Sequence, residues 1–203
     1  MLNVAVFGSG TGSNFRSILA AIDQGTLTGV TIRLVVSNNA EAGILSTARA
    51  HALPALHLSQ KQFPDEESFA AAMLSALRER GVNFIALAGY LKRVPSSVVA
   101  AYRNRIVNIH PALLPRFGGA GMYGLHVHEA VIAAGEKASG ASVHYVDEEY
   151  DRGPVILQKT VPVLPGDTPE SLAARVLTVE HELYPEALSM IAAREAKENA
   201  AHT

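Results

Sequence analysis

Residues 3–15 read NVAVFGSGTGSNF, and the fold turns on how this stretch is taken. Its apolar start is a short buried strand, broken at Gly8, and a helical pattern, NFRSILAAIDQG, follows and is closed by Gly25. A strand that runs through a glycine-rich loop into a helix is the opening unit of a parallel α/β sheet. The same rhythm continues outward. TIRLVVS is a second strand, AGILSTARAHA a helix and ALHLS a third strand. DEESFAAAMLSALRERG has acidic residues in its first turn, Arg in its last and Gly81 after it, as the helix dipole favours. NFIALAG and RIVNI complete the apolar strands.

The rhythm changes at Pro111. PALLPRFGGAGMYGLH is a long glycine-rich loop, and long loops inside compact domains are usually functional. VHEAVIAAGE is a short helix, and ASVHYV and PVILQKTVPV are strands joined by the polar turn DEEYDRG, an antiparallel addition to the sheet. A last helix begins near GDTPESLAARVL, with Asp167 or Thr168 as cap and Pro169 in its first turn, and leaves a polar tail, REAKENAAHT. The predicted fold is α/β: a doubly wound, mostly parallel sheet with helices on both faces and an antiparallel C-terminal addition. No repeat or linker divides it, so residues 1–203 are expected to form a single domain.

Composition narrows the function. A hydrophobic fraction of 48% is ample for a core, and a formal net charge of −2 provides no basic footprint for nucleic acid. The chain has no cysteine, which excludes disulfides, thiolate zinc sites and a cysteine nucleophile and fits a cytoplasmic location. MLNVAVFGSG lacks a basic leader region and is too short for a membrane span, so neither a signal peptide nor membrane insertion is expected.

The loop FGSGTGSNF can present backbone N–H groups and a helix N-terminus to a phosphate. The dinucleotide pattern is imperfect, because Ser13 stands where its last glycine belongs and the second strand ends VVSNN without an acid for ribose hydroxyls. No lysine follows the loop as a nucleoside triphosphatase needs. A monophosphate site remains, with Ser13 and Asn14 as side-chain donors; the alternative is a tight turn capped by either residue.

Asn108 and His110 sit two apart at the end of a late strand and therefore share a face. Ligands of open α/β sheets gather beyond the carboxyl ends of the strands, where the glycine loop also opens. An imidazole carries a proton near neutral pH, and an amide donates to a developing oxyanion. Asp151, before a glycine–proline step in an over-polar turn, is the acid best suited to raise a histidine pKa; a plain hairpin-turn Asp is the alternative. Ser142 and His144, again two apart, are read as a supporting network. His126 and His128 match no zinc spacing, and no G-x-S-x-G elbow surrounds Ser9 or Ser13, so neither a metal site nor a serine nucleophile is expected.

Together, VFGSGTGSN, LAGYLKRV, VNIHPALLP, DEEYDRGPVILQ and ARVLTVEHELYP resemble the folate-dependent formyltransferases over nearly the whole chain. The resemblance implies transfer of a formyl group from 10-formyltetrahydrofolate to the amine of glycinamide ribonucleotide in purine synthesis, with small-molecule substrates and no metal. It implies His110 as proton donor to the oxyanion, Asn108 as a second donor, and Asp151 orienting and charging the imidazole. It assigns Gly12, Ser13, Asn14 and Glu180 to the ribonucleotide. Leu91, Lys92, Arg93 and Val94, with Asn108 and the Asp147 to Asp151 backbone, are assigned to the folate. Residues 1–100 would form the ribonucleotide-phosphate half and 101–203 the catalytic and folate half. The loop RFGGAGMYGLHVH is longer than in many relatives, and Glu66 stands where some carry a basic residue for the folate tail.

Three rivals follow. Methionyl-tRNA formyltransferases add a C-terminal tRNA-binding domain that this sequence is not expected to contain. Formyltetrahydrofolate hydrolases add an N-terminal regulatory domain, whereas here the first strand is expected at residue three. A phosphate- or nucleotide-binding module would use Asn108 and His110 only structurally. Oligomeric state is not legible.

Overall fold

Strand β1, Leu2–Phe7, alternates strictly: Val4 and Val6 enter one apolar cluster, Ala5 and Phe7 another. A strand buried on both faces is what a parallel sheet covered by helices on either side requires. A computed structural model describes residues 1–149 and 151–201. Along the chain follow α1 (Ser13–Asp23), β2 (Val30–Ser37), α2 (Gly43–Ala50), β3 (Ala55–His57) and α3 (Glu66–Glu79). After β4 (Phe84–Leu87), α4 (Ser96–Ala101), β5 (Ile106–His110) and α5 (Leu125–Ala133) come β6 (Ala138–Tyr145), β7 (Val155–Pro162) and α6 (Pro169–Ala201).

The sheet order is β3-β2-β1-β4-β5-β6-β7. The first five strands in this order pair in parallel, and β6 and β7 add antiparallel. The doubly wound sheet with an antiparallel addition is therefore as expected. One face packs on α1, α2 and α6 through Phe15, Ile18, Ile44, Leu172 and Tyr184. The other packs on α3 and α4 through Phe69, Met73, Leu77 and Val98. The chain order reverses between β1 and β4, so the loops after both strands splay apart there and leave a crevice.

The boundaries of β6, α5 and α6 depart from the sequence reading; β6 starts at Ala138, three residues before the expected strand. Helix α5 starts at Leu125, inside the expected loop. Helix α6 continues to Ala201, so most of the expected polar tail is helical, while residues 202–203 lie outside the described residues. Residues such as Glu195, Ala196 and Lys197 are good helix formers, and Arg105 pairs with Glu195 at 3.2 Å, which carries the helix past its apolar stretch. At its start Pro169 is the first helical residue and Thr168 Oγ1, of the two expected candidates, accepts the Ser171 N–H at 3.2 Å.

Candidate active site

Asn108 and His110 lie on β5 beside β6, where the antiparallel register sets Asn108 opposite His144 and His110 opposite Ser142. Four polar side chains thus share one face of the sheet, as the two-residue period of both strands requires. The next pair, Ser142 opposite Gln158 on β7, extends the row. Ser142 Oγ donates to the Ala112 carbonyl at 2.5 Å and accepts from Leu114 N–H at 3.1 Å and from Gln158 Nε2 at 2.8 Å. Gln158 also donates to the Leu114 carbonyl at 2.9 Å. This network holds the segment leaving His110, which is the supporting role expected of Ser142.

His110 is almost completely buried, at 3% exposure. Its Nε2 lies 2.8 Å from the Phe117 carbonyl, which can only accept, so Nε2 carries the proton. Nδ1 faces Asp151 Oδ2 at 3.6 Å, beyond hydrogen-bonding distance. That oxygen accepts the Gly119 N–H at 2.9 Å, and Asp151 Oδ1 lies 3.4 Å from His144 Nε2. His144 donates through Nδ1 to the Tyr145 carbonyl at 2.8 Å, and Asn108 Nδ2 lies 3.3 Å from its Nε2. One Asn108 N–H is engaged there and the second remains for a ligand. Asp151 therefore bridges two imidazoles and the glycine-rich loop.

Burial pushes the His110 pKa below the ordinary imidazole value; Asp151 and the Phe117 carbonyl pull it back without reversing the shift. Burial pushes the Asp151 carboxyl up, but the neighbouring His144 and His110 rings and the Gly119 N–H together hold it below the usual carboxylate range. The resting pair is an ionised carboxylate beside a neutral imidazole. This corrects the expectation that Asp151 charges His110: removing the ring from water outweighs a carboxylate 3.6 Å away.

A cavity of about 630 Å³ opens over this group. It is lined by Leu91, Lys92, Arg93 and Val94, by Asp147, Glu148, Glu149 and Asp151, and by Asn108 and His110, so it gathers every described residue assigned to catalysis or folate. Tyr150, within the 147–151 segment, lies outside the described residues. Glu180 closes one side. One helical turn beyond it, buried Tyr184 donates to the Leu87 carbonyl at 2.9 Å and so fixes α6 against the carboxyl end of β4.

Gly12, Ser13 and Asn14 do not line the cavity, but Asn14 Nδ2 donates to Glu180 Oε2 at 2.7 Å and places the glycine loop next to it. Gly12 is in the left-handed region at φ 76°, where a Cβ would lie 2.9 Å from Ile44 Cα. Its absent side chain thus serves packing on α2 as well as any anion. Neither Ser13 nor Asn14 caps α1; Gly12 itself is the cap residue, without a side-chain bond.

The sequence reading missed three contributors. His128 is buried and lines the cavity with Nδ1 unpartnered, whereas His126 is exposed and contacts Glu129 at 3.2 Å. The sequence reading weighs this pair only as metal ligands, because which of the two turns inward is set by the seating of α5 and not by their spacing. Met122 and Tyr123 also line the cavity, whereas His144, expected as support beside Ser142, lies 3.4 Å from Asp151. Among the described residues no group of three or more His, Asp or Glu is placed to hold a metal ion, and no helix is long and apolar enough to cross a membrane.

Two consequences are measurable. Burial raises the Glu180 carboxyl, with the Asn14 bond opposing it. A raised carboxyl contributes stability below its unfolded value and loses it as pH rises through the folded value, so buried Glu180 costs the fold stability as pH rises. Glu180→Gln keeps an acceptor for Asn14 without the charge. It is expected to raise Tm at pH 7 while weakening ligand binding in the cavity; a lower Tm would contradict this. His110 and His128 both have depressed values caused first by burial. Their unfolded forms take up protons below about pH 6.5, which the folded forms resist, so stability falls as pH drops through that value. Tm followed from pH 7.5 to 5.5 should decline, with a shallower slope in His128→Gln; a flat parental profile would contradict the assignment.

An Asn–x–His strand end, a late aspartate and a cavity thus meet at the carboxyl ends of a doubly wound sheet. The formyl transferase family model matches residues 2–188, and the chain belongs to that family. It is similar to the chloroplastic phosphoribosylglycinamide formyltransferase of Arabidopsis thaliana, 45% identical over 93% of this chain and 64% of the relative. The chain thus spans less than two thirds of that relative's length. The phosphoribosylglycinamide formyltransferase of Escherichia coli is 37% identical over 94% of this chain and 87% of its own. The crystal structure of glycinamide ribonucleotide transformylase 1 from Symbiobacterium toebii superposes with a TM-score of 0.88 at 39% identity, covering 95% of this chain and 88% of that one.

Proposed function

We propose that the chain transfers the formyl group of 10-formyltetrahydrofolate to the amine of glycinamide ribonucleotide, a step of purine biosynthesis. Family membership implies a folate-derived formyl donor, and relatives named for this reaction support the acceptor. The observation that carries the reading is the single cleft that runs from Leu91–Val94 past His110 to Glu180, beside the glycine loop. An apolar slot with backbone donors suits a pterin, and a helix N-terminus suits the ribonucleotide phosphate.

The neutral amine attacks the formyl carbon, and negative charge develops on the formyl oxygen. The free Asn108 N–H and the His110 N–H stabilise it, the latter leaving the Phe117 carbonyl. Ionised Asp151 lowers the cost of positive charge on His110 while a proton passes through it. The bond to folate N10 then breaks, N10 takes the proton lost by the amine, and formylated ribonucleotide and tetrahydrofolate result. Positioning two bound reactants supplies much of the rate, so the reaction needs neither a covalent enzyme intermediate nor a metal.

The test is consumption of the formyl donor with and without glycinamide ribonucleotide. The expected result is amine-dependent loss, one tetrahydrofolate per formylated ribonucleotide. Donor loss without the amine would instead identify a hydrolase, and no turnover at any enzyme concentration a binding module.

A further inference from the structure

Ser9 has no role in the chemistry above, yet its hydroxyl joins the loops that follow β1, β2 and β4, the last of which lines the cleft. It follows β1, and its Oγ donates to Asn38 Oδ1 just beyond β2 at 2.5 Å. The same oxygen accepts the Leu91 N–H, beyond β4, at 2.9 Å. The Ser9 N–H donates to the Gly89 carbonyl at 2.9 Å, so backbone and side chain grip the 89–91 segment together. That segment belongs to neither strand nor helix, Gly89 within it is left-handed at φ 76°, and the Leu91 side chain is 59% exposed. Packing of Leu91 therefore does little to hold the backbone, whereas Leu91, Lys92, Arg93 and Val94 all line the cleft.

We propose that Ser9 is a positioning residue for the folate: held by Asn38, its hydroxyl fixes the Leu91 backbone so that the 91–94 segment presents a preformed wall to the pterin-bearing ligand. The proposal rests on the formyl-folate reading of the cleft. Asn38 matters because a serine hydroxyl has one proton, and spending it on Oδ1 turns a lone pair toward Leu91. Without Ser9 Oγ the Leu91 N–H loses its partner and the segment gains freedom that ligand binding must then remove. The effect belongs to folate affinity rather than to bond making, because His110, Asn108 and Asp151 have no hydrogen bond to Ser9 or Leu91 among the described residues.

The experiment compares the parent, Ser9→Ala, Ser9→Thr and Asn38→Ala. Calorimetric titration with tetrahydrofolate is run beside steady-state kinetics in both substrates, after Tm has established that each variant is folded. For Ser9→Ala the dissociation constant of tetrahydrofolate and the KM of the formyl donor should rise on the order of tenfold, as expected for one lost bond to a group left unsatisfied. kcat and the KM of the ribonucleotide should stay within about twofold, Ser9→Thr should restore folate affinity, and Asn38→Ala should weaken it in the same direction. Unchanged folate affinity in folded Ser9→Ala, an equal rise in both KM values, or a threonine variant no better than alanine would overturn the role of Ser9 alone. A parent that binds no folate would overturn the functional reading and this proposal with it.

Discussion

Replacing His110 by alanine should lower kcat/KM by about 10³-fold, the scale seen when a general acid or an oxyanion donor is removed from a preorganised site. Its ring is buried, its Nε2–H is held by the Phe117 carbonyl, and Asp151 lies on its other edge, so the proton position is set before any ligand arrives. Removing the ring takes away an oxyanion donor and leaves Asp151 with His144 and Gly119 as partners. Ribonucleotide affinity should hold within about threefold, since the glycine loop and Glu180 are untouched and distant sites act independently. Rate measurements at saturating formyl donor, with ribonucleotide binding followed by calorimetry, separate the two effects. Activity within a few-fold of the parent would remove His110 from the chemistry. His110→Asn, which keeps a donor in a buried polar site, should recover part of the fold stability but little of the rate.

The second large effect falls on a residue with no functional group. Gly153 stands in the Asp-x-Gly-Pro run, and a Cβ there would lie 1.9 Å from the Tyr145 carbonyl oxygen and 2.8 Å from its carbon. Both atoms are backbone, and Tyr145 is itself tied to Pro154 by a 2.9 Å bond from its N–H to the proline carbonyl. The clash therefore cannot be relieved by a side-chain rotation. Gly153→Ala should cost about 3 kcal/mol, in the upper range for an overpacked core site. For a domain of this size that lowers Tm by about 6–12 °C. Turnover should fall at least tenfold even in the folded fraction, because Asp151 is two residues away and its position depends on the same strand end. Thermal unfolding and assay well below Tm check both halves; parental Tm together with parental turnover would show that the turn has slack which the distances deny.

Much of this architecture was legible because local chemistry and global fold agree. The strict alternation of Val4 to Phe7 records a strand buried on both faces, and Gly81 and Pro169 mark helix ends by mechanism. Asn108 and His110 could be placed on one face from spacing alone. Other parts depend on register and burial, which a sequence does not display. The meeting of His144 with Asp151 follows from its pairing opposite Asn108, and the inward turn of His128 from the seating of α5. The neutral state of His110 was hidden for a related reason. A neighbouring acid can be guessed from a motif, whereas loss of water around a ring is known only when the core is assembled. The helical C-terminal segment was missed because a polar stretch has no apolar period to read, while its helix-forming composition carries it onward.

A crystal structure with glycinamide ribonucleotide and a non-transferable analogue of the formyl donor bound together tests the account most directly. The phosphate is expected at residues 12–14 and the pterin against residues 91–94. The formyl-equivalent oxygen should lie within hydrogen-bonding distance of His110 and Asn108, with the amine facing its carbon. Both ligands bound with that oxygen turned away from His110, or the phosphate seated far from the glycine loop, would contradict it.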